Sequence, residues 1–256
     1  MIQFILDPET NQKFLSNRAL GECLGMVIPL AIAMFFCNFS RKTKGLLIFS
    51  IVIMVFSLVI NGTRGAWVGS ILALCYLAIF LSRKIFFGLG IFIFLLFSYQ
   101  IERASTIFDS QDSSNLYRVY QCKAAILMIK ERPLLGYGPG SFQKFWQDRM
   151  HEKIKERFGY NHKYVLNMYL QIAGETGIFC ILAFFWLIIA SFRLGWNLAQ
   201  EQKEFRILLL GILACIVDFL VHGMVNHTLY GKSGYLFWFY LGMIMSIGRA
   251  QREQSL

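Results

Sequence analysis

The sequence predicts an all-α fold: a polytopic transmembrane helix bundle of about seven spans with one long, partly helical extracytoplasmic loop. Composition is the first observation. Of 256 residues, 56% are hydrophobic and 16% charged, and phenylalanine alone occurs 25 times; a soluble domain is about one quarter charged. Pattern is the second, because seven apolar stretches approach the length of about 20 residues that a spanning helix requires. Charge is the third, since the short connections alternate between basic and weakly charged.

The stretches are 19–39, 45–60, 66–82, 85–101, 176–192, 207–230 and 233–248. The shorter ones reach across by recruiting flanking residues or thin lipid. Three regions follow: N-terminal transmembrane helices over 1–101, the outer loop over 102–165, and C-terminal transmembrane helices over 166–256. The start, "MIQFILDPETNQKFLSNRALGE", lacks the basic segment, apolar core and cleavage site of a secretory signal and looks like a chain entered midway. The basic connections are "RKTK", Arg83–Lys84, 193–206 and the tail with Arg249 and Arg252. The positive-inside rule puts all of them in the cytoplasm, so "NGTRG" and the long loop face outward, as expected for a cytoplasmic (inner) membrane protein. The six cysteines have no paired spacing and read as small core residues. The net charge of +10 is spread over loops; it suits anionic membrane lipids and carries no nucleic-acid motif.

Sixty-odd residues of outer loop exceed what a connector needs. Val119, Cys122, Ile126 and Ile129 recur at helical spacing and predict a helix that Pro133 ends. "GYGPGS" (136–141) predicts a tight turn; a phosphate-binding P-loop would need a Lys followed by Ser or Thr, which is missing. "SFQKFWQDRMHEKIKERF" predicts one amphipathic helix with Phe142, Phe145, Trp146, Met150, Ile154 and Phe158 on a face. That face can lie in the headgroup layer or pack on the protein.

Polar side chains then form rows. Lys163, Asn167, Gln171 and Glu175 are four apart and predict one polar helix face entering the membrane. Asp218, His222 and Asn226 repeat that spacing inside an apolar run, where ionisable residues are functional suspects or structural hydrogen-bonders. Arg64 sits between two apolar runs with no acid in "SLVINGTRGAWVGSIL". Arg118 stands outside beside Tyr117 and Tyr120. Guanidinium forks bind phosphate oxygens in pairs, so the two arginines are expected to converge on a lipid-linked phosphate or diphosphate.

Four stretches in order carry a family resemblance: "NRALGECLGMVIPLAIA" (17–33), "NGTRGAWVGSILAL" (61–74), "YRVYQCKAAILMIKERPLLGYGPGSF" (117–142) and "LNMYLQIAGETGIF" (166–179). The chain resembles the C-terminal part of the O-antigen ligase / O-antigen polymerase family of bacterial membrane glycosyltransferases. The resemblance implies transfer of a glycan from an undecaprenyl diphosphate carrier to a sugar or lipid acceptor outside the cytoplasmic membrane, with no cofactor and no metal. It implies Arg64 and Arg118 as the diphosphate-binding catalytic residues, and Tyr117, Asn167, Gln171 and Glu175 as substrate-binding. Members usually carry a histidine directly before the motif's asparagine, taken as general base; here that position is Leu166, expected to face water at the membrane lip. His162, four residues earlier, is the candidate replacement or an ordinary loop histidine. Two rival readings stand beside this one: a transporter using the Asp218–His222 row, and an inactive, truncated family member.

Overall fold

The computed structural model describes residues 8–82, 84–105 and 113–254; the first seven residues and Arg83 lie outside the described set. All of the regular structure described is helical. The elements are α1 (Pro8–Phe35), α2 (Arg41–Asn61), α3 (Arg64–Phe80), α4 (Lys84–Ser105), α5 (Ser113–Glu131), α6 (Phe142–Arg149), α7 (Glu152–Phe158), α8 (Met168–Glu201), α9 (Arg206–Gly223) and α10 (Lys232–Gln254). The seven predicted spans correspond to α1–α4 and α8–α10. Of these, α2, α8 and α9 are both long and apolar enough to cross a membrane; 19–35, α3 and 84–94 are apolar but shorter, and α10 is long but not apolar enough. The stretch 207–230 is not one helix: α9 stops at Gly223 and a 3₁₀ turn follows at Thr228–Tyr230.

The chain forms two compact units. The first comprises Met1–Ala104, Ser191–His222 and Thr228–Leu256. Its centre is α9, with Leu209, Ile212, Leu213, Ile216 and Phe219 all buried, while Phe49, Val52 and Phe56 of α2 are outward and exposed. An apolar helix that exposes its largest side chains is a lipid-facing helix. Packing is close because small residues sit where helices meet: a Cβ on Gly211 would lie 2.6 Å from the Ala33 Cβ. Phe219 and Phe237 stack at 4.4 Å between centroids. α2 is capped by Ser40, whose Oγ accepts from the Thr43 N–H at 3.2 Å, and ends on Gly62 at φ 70°, a left-handed C-cap that suits glycine.

The second unit comprises Ser105–Ala190 and Gly223–His227. α5 ends two residues before Pro133, as the proline requires. The face it buries is lined by small and polar side chains. Gln121, Ala124, Ala125 and Met128 are buried, whereas Val119 and Ile126 are exposed. Two consecutive alanines leave room for aromatic rings, and Phe142, Phe145 and Trp146 fill it, with Val165. The aromatic face of α6 is thus packed on the protein. The expected single amphipathic helix is two, α6 and α7, because Met150 is extended (ψ 142°) and His151 caps α7, its side chain accepting from the Lys153 N–H at 3.3 Å.

Candidate functional site

Arg64 opens α3. Only Gly62 and Thr63 separate it from α2, and the turn is fixed from three directions. Thr63 Oγ1 donates to Asn61 Oδ1. Trp67 Nε1 donates to the Leu58 carbonyl at 3.1 Å, tying the first turn of α3 to the last of α2. Gly21 of α1 comes so close that a Cβ there would lie 2.5 Å from Asn61 Oδ1. Arg64 is half-buried and stands on a firmly tied base. No acidic residue occupies the first turn of α3. A cation at a helix N-terminus opposes the helix dipole, costing a few tenths to about 1 kcal/mol. The same two positive potentials, added, favour an anion there.

Arg118, Tyr117, His162, Asn167, Gln171 and Glu175 belong to the second unit. Arg118, on α5, donates through Nη1 to the Val225 carbonyl. Asn167 Nδ2 donates to the neighbouring Met224 carbonyl at 2.9 Å. Both thus hold the short 223–227 segment, on which the His227 ring stacks against Tyr164 at 4.8 Å. Asn167 Oδ1 accepts from the Leu170 N–H at 2.9 Å, so the asparagine is the N-cap of α8. This breaks the expected polar row. α8 begins at Met168, leaving Lys163 exposed on the extended chain before it. Gln171 and Glu175 do share a helix face, but both are buried.

Their polar atoms serve the loop. Gln171 Oε1 accepts from the Val165 N–H at 3.0 Å. Glu175 Oε1 accepts from Gln171 Nε2 and from the Phe142 N–H, each at 3.3 Å, so the carboxylate caps α6. The predicted turn at 136–141 docks here. Gly138 N–H donates to the Glu175 carbonyl at 2.7 Å and Tyr137 N–H to that of Gly174 at 3.2 Å. α8 is kinked to receive them: Gly177 has φ 79°, and the Ile178 N–H donates to the Pro133 carbonyl at 2.9 Å. Both contact glycines are obligatory, since a Cβ on Gly136 would lie 2.4 Å from the Glu175 carbonyl oxygen and one on Gly177 2.0 Å from that of Leu134.

His162 lies before α8 and shares no helix face with Leu166. Its Nε2 is 2.8 Å from the Phe158 carbonyl, which can only accept, so Nε2 carries the proton. Nδ1 is then an acceptor, and the Tyr117 hydroxyl donates to it at 2.6 Å. Gln121 Nε2 donates in turn to Tyr117 Oη at 2.5 Å and to the Tyr164 carbonyl at 3.2 Å. Burial pushes the imidazole below its ordinary 6.5, outweighing the carbonyls of Phe158 and Gly159, which pull the other way. Leu166 is covered, at 7% exposure, rather than turned to water. Its N–H donates to Gln121 Oε1 at 3.0 Å. Gln121, Tyr164 and His227 were not legible as site residues; only the clustering of polar side chains near "YRVY" hinted at the first.

In the first unit, Asp218 and His222 are buried on α9, whereas Asn226 lies beyond its end. The Asn226 Oδ1 accepts from the His227 N–H at 3.0 Å, closing a local turn. Asp218 is pressed between two glycines: a Cβ on Gly25 of α1 or Gly69 of α3 would come within 2.8 or 2.5 Å of Oδ1. Ser70 Oγ donates to that oxygen at 3.4 Å. Among the described residues, no group of three or more His, Cys, Asp or Glu is placed to hold a metal ion.

No curated protein matches the chain. A family model does: residues 49–185, more than half of the chain, match O-antigen ligase. The match encloses the Arg64 turn, α5 with Arg118, the docked glycine loop and the kinked start of α8. On this ground the polytopic helical chain is a membrane protein of a glycan-transferring, polysaccharide-building kind, and it belongs to the O-antigen ligase family.

Proposed function

We propose that the chain transfers a glycan from undecaprenyl diphosphate to a sugar or lipid acceptor at the outer face of the cytoplasmic membrane. The observation that carries this reading is the family match over 49–185, which contains both arginines. The acceptor hydroxyl attacks the anomeric carbon. The bond from that carbon to the diphosphate oxygen breaks, and the diphosphate leaves with the electron pair. Arg64 and Arg118 bind the departing charge; fixed cations of this kind are worth about 3–4 kcal/mol each in a water-poor site. The acceptor proton passes to Tyr117 Oη as the Tyr117 proton moves to His162 Nδ1, along the 2.6 Å contact between them. A neutral imidazole, which burial favours here, is the form able to take it. Asn167, Gln171 and Glu175 position the loop against α8. No metal is required, since the arginines supply the positive charge that a metal would otherwise bring.

The test uses purified chain, lipid-linked donor and acceptor. Arg64→Ala and Arg118→Ala should each lower transfer by about 10²-fold or more without lowering the amount of protein in the membrane. Transfer should persist in excess chelator. Unchanged transfer in either alanine variant would remove that arginine from the mechanism, and rescue by magnesium would replace the arginine-only account.

A further inference from the structure

A second feature of the first unit has no part in that chemistry. Helices α1–α4 line a cavity of about 600 Å³, in the range of sites that hold one small ligand. Its lining is apolar but for Ser70 at depth and two lysines, Lys44 and Lys84. Both lysines lie at the same end. The two-residue connection makes α2 and α3 antiparallel, so the start of α2, with Lys44, is level with the end of α3 and the start of α4, where Lys84 stands. Neither has a carboxylate partner among the described residues; Lys44 Nζ instead lies 5.6 Å from the centre of the Phe35 ring, itself part of the lining.

The cavity runs from Lys44 to Leu58 along α2, about 21 Å at 1.5 Å per residue. Val52 and Ile91 line it and are also exposed, at 60% and 50%, so it opens sideways along α2 and α4, the lipid-facing side. Gly88 borders it, and a Cβ there would meet nothing within 4 Å. A long, dry, laterally open slot with paired cations at one end is complementary to an aliphatic chain that ends in a phosphate.

We propose that this cavity is a lipid site: it holds one acyl chain of an anionic phospholipid, whose phosphate sits between Lys44 and Lys84. The proposal does not depend on the transfer reaction. Both lysines belong to the basic connections, so the positive-inside rule assigns the bound lipid to the cytoplasmic leaflet.

The test is native mass spectrometry of the full chain from bilayers of equal phosphatidylglycerol and phosphatidylcholine with matched acyl chains. One phosphatidylglycerol should be retained per chain, with a preference of roughly tenfold or more, the scale that two lysines near a membrane surface supply. Lys44→Gln with Lys84→Gln should bring the preference to about unity. Gly88→Trp should abolish retention of either lipid, and Gly88→Leu should weaken it, giving a milder variant should the tryptophan misfold. Equal retention of both lipids by the native chain would overturn the proposal, as would unchanged retention by both Gly88 variants. Displacement by inorganic phosphate alone, preferential uptake of a polyprenyl phosphate, or a chain dimer dissolved by Gly88→Trp would each assign the cavity to a different occupant and overturn it too.

Discussion

Two of the buried carboxylates, Glu175 in the second unit and Asp218 in the first, are held in very different ways. Glu175 receives the Phe142 N–H and the Gln171 amide on one oxygen, and its own carbonyl receives the Gly138 N–H. Asp218 has one long hydroxyl contact from Ser70 on Oδ1, and among the described residues Oδ2 has no hydrogen-bond partner. The first carboxylate joins loop to helix. The second is enclosed by glycines that bring α1 and α3 against it, with little bonding to show for its desolvation. A buried charge or polar group without partners is destabilising, so Glu175 reads as part of the fold's fabric. Asp218 is retained at the fold's expense and is the better functional suspect of the two.

The most damaging change should strike the docking of loop on α8. Gly177→Ala puts a Cβ 2.0 Å from the Leu134 carbonyl oxygen, at φ 79°, a backbone region that is nearly glycine-only. The expected loss is about 3 kcal/mol or more, read as a lower melting temperature in detergent and proteolysis within 133–141. An unchanged melting temperature would show that the loop is not anchored there.

The carboxylates themselves come next. Glu175→Leu strands the buried Phe142 N–H and should cost about 1–3 kcal/mol. Asp218→Asn removes only one long contact and should cost about 1 kcal/mol or less, while any role in proton handling would be lost. Thermal denaturation of both variants, with a transfer assay on the second, decides the comparison. If Asp218→Asn were the more destabilising, the distinction drawn above would be reversed.

What the sequence made legible was whatever local pattern dictates. Apolar runs located α1–α4 and α8–α10, Pro133 ended α5, and the glycines of 136–141 marked a turn. The turn's purpose was hidden, because it is docked by backbone contacts to Gly174 and Glu175, far away in the chain. The packing face of α5 was hidden for a related reason: Ala124 and Ala125, and not the larger Val119 and Ile126, admit the rings of α6. The four-residue polar row failed at Asn167, where the side chain caps a helix instead of extending one. Arg64 was locatable from "NGTRG" alone, since a glycine C-cap followed directly by a new helix leaves its position little freedom.

A pH experiment extends the comparison from carboxylates to the loop's imidazole. Burial holds the folded-state pKa of His162 below 6.5, so between that lowered value and 6.5 the unfolded loop binds more protons than the folded one. Stability therefore rises with pH through this window and is lost as pH falls below about 6.5. Hydrogen exchange at 158–167, corrected for intrinsic rates, should show weaker protection on acidification, and His162→Gln should remove the dependence. Flat protection in the native chain would mean that the ring is not held neutral.

The smallest change expected is the most informative about the missing histidine. Leu166→His would restore the residue that the family usually carries before the asparagine, but at a covered position with 7% exposure. Its backbone N–H already belongs to Gln121, and the new ring would enter beside a network that bonds Gln121, Tyr117 and His162. If His162 acts through Tyr117, Leu166→His should change the transfer rate by less than about tenfold, while His162→Ala or Tyr117→Phe should lower it by about 10²–10⁴-fold, the usual worth of a general base. His162→Ala also loosens the loop, whereas Tyr117→Phe keeps the ring and removes only the hydroxyl. Agreement between these two variants therefore points to the proton and not to packing. A gain of 10²-fold or more from Leu166→His, with His162→Ala silent, would place the base at 166 after all and reduce His162 to a strut beneath the loop.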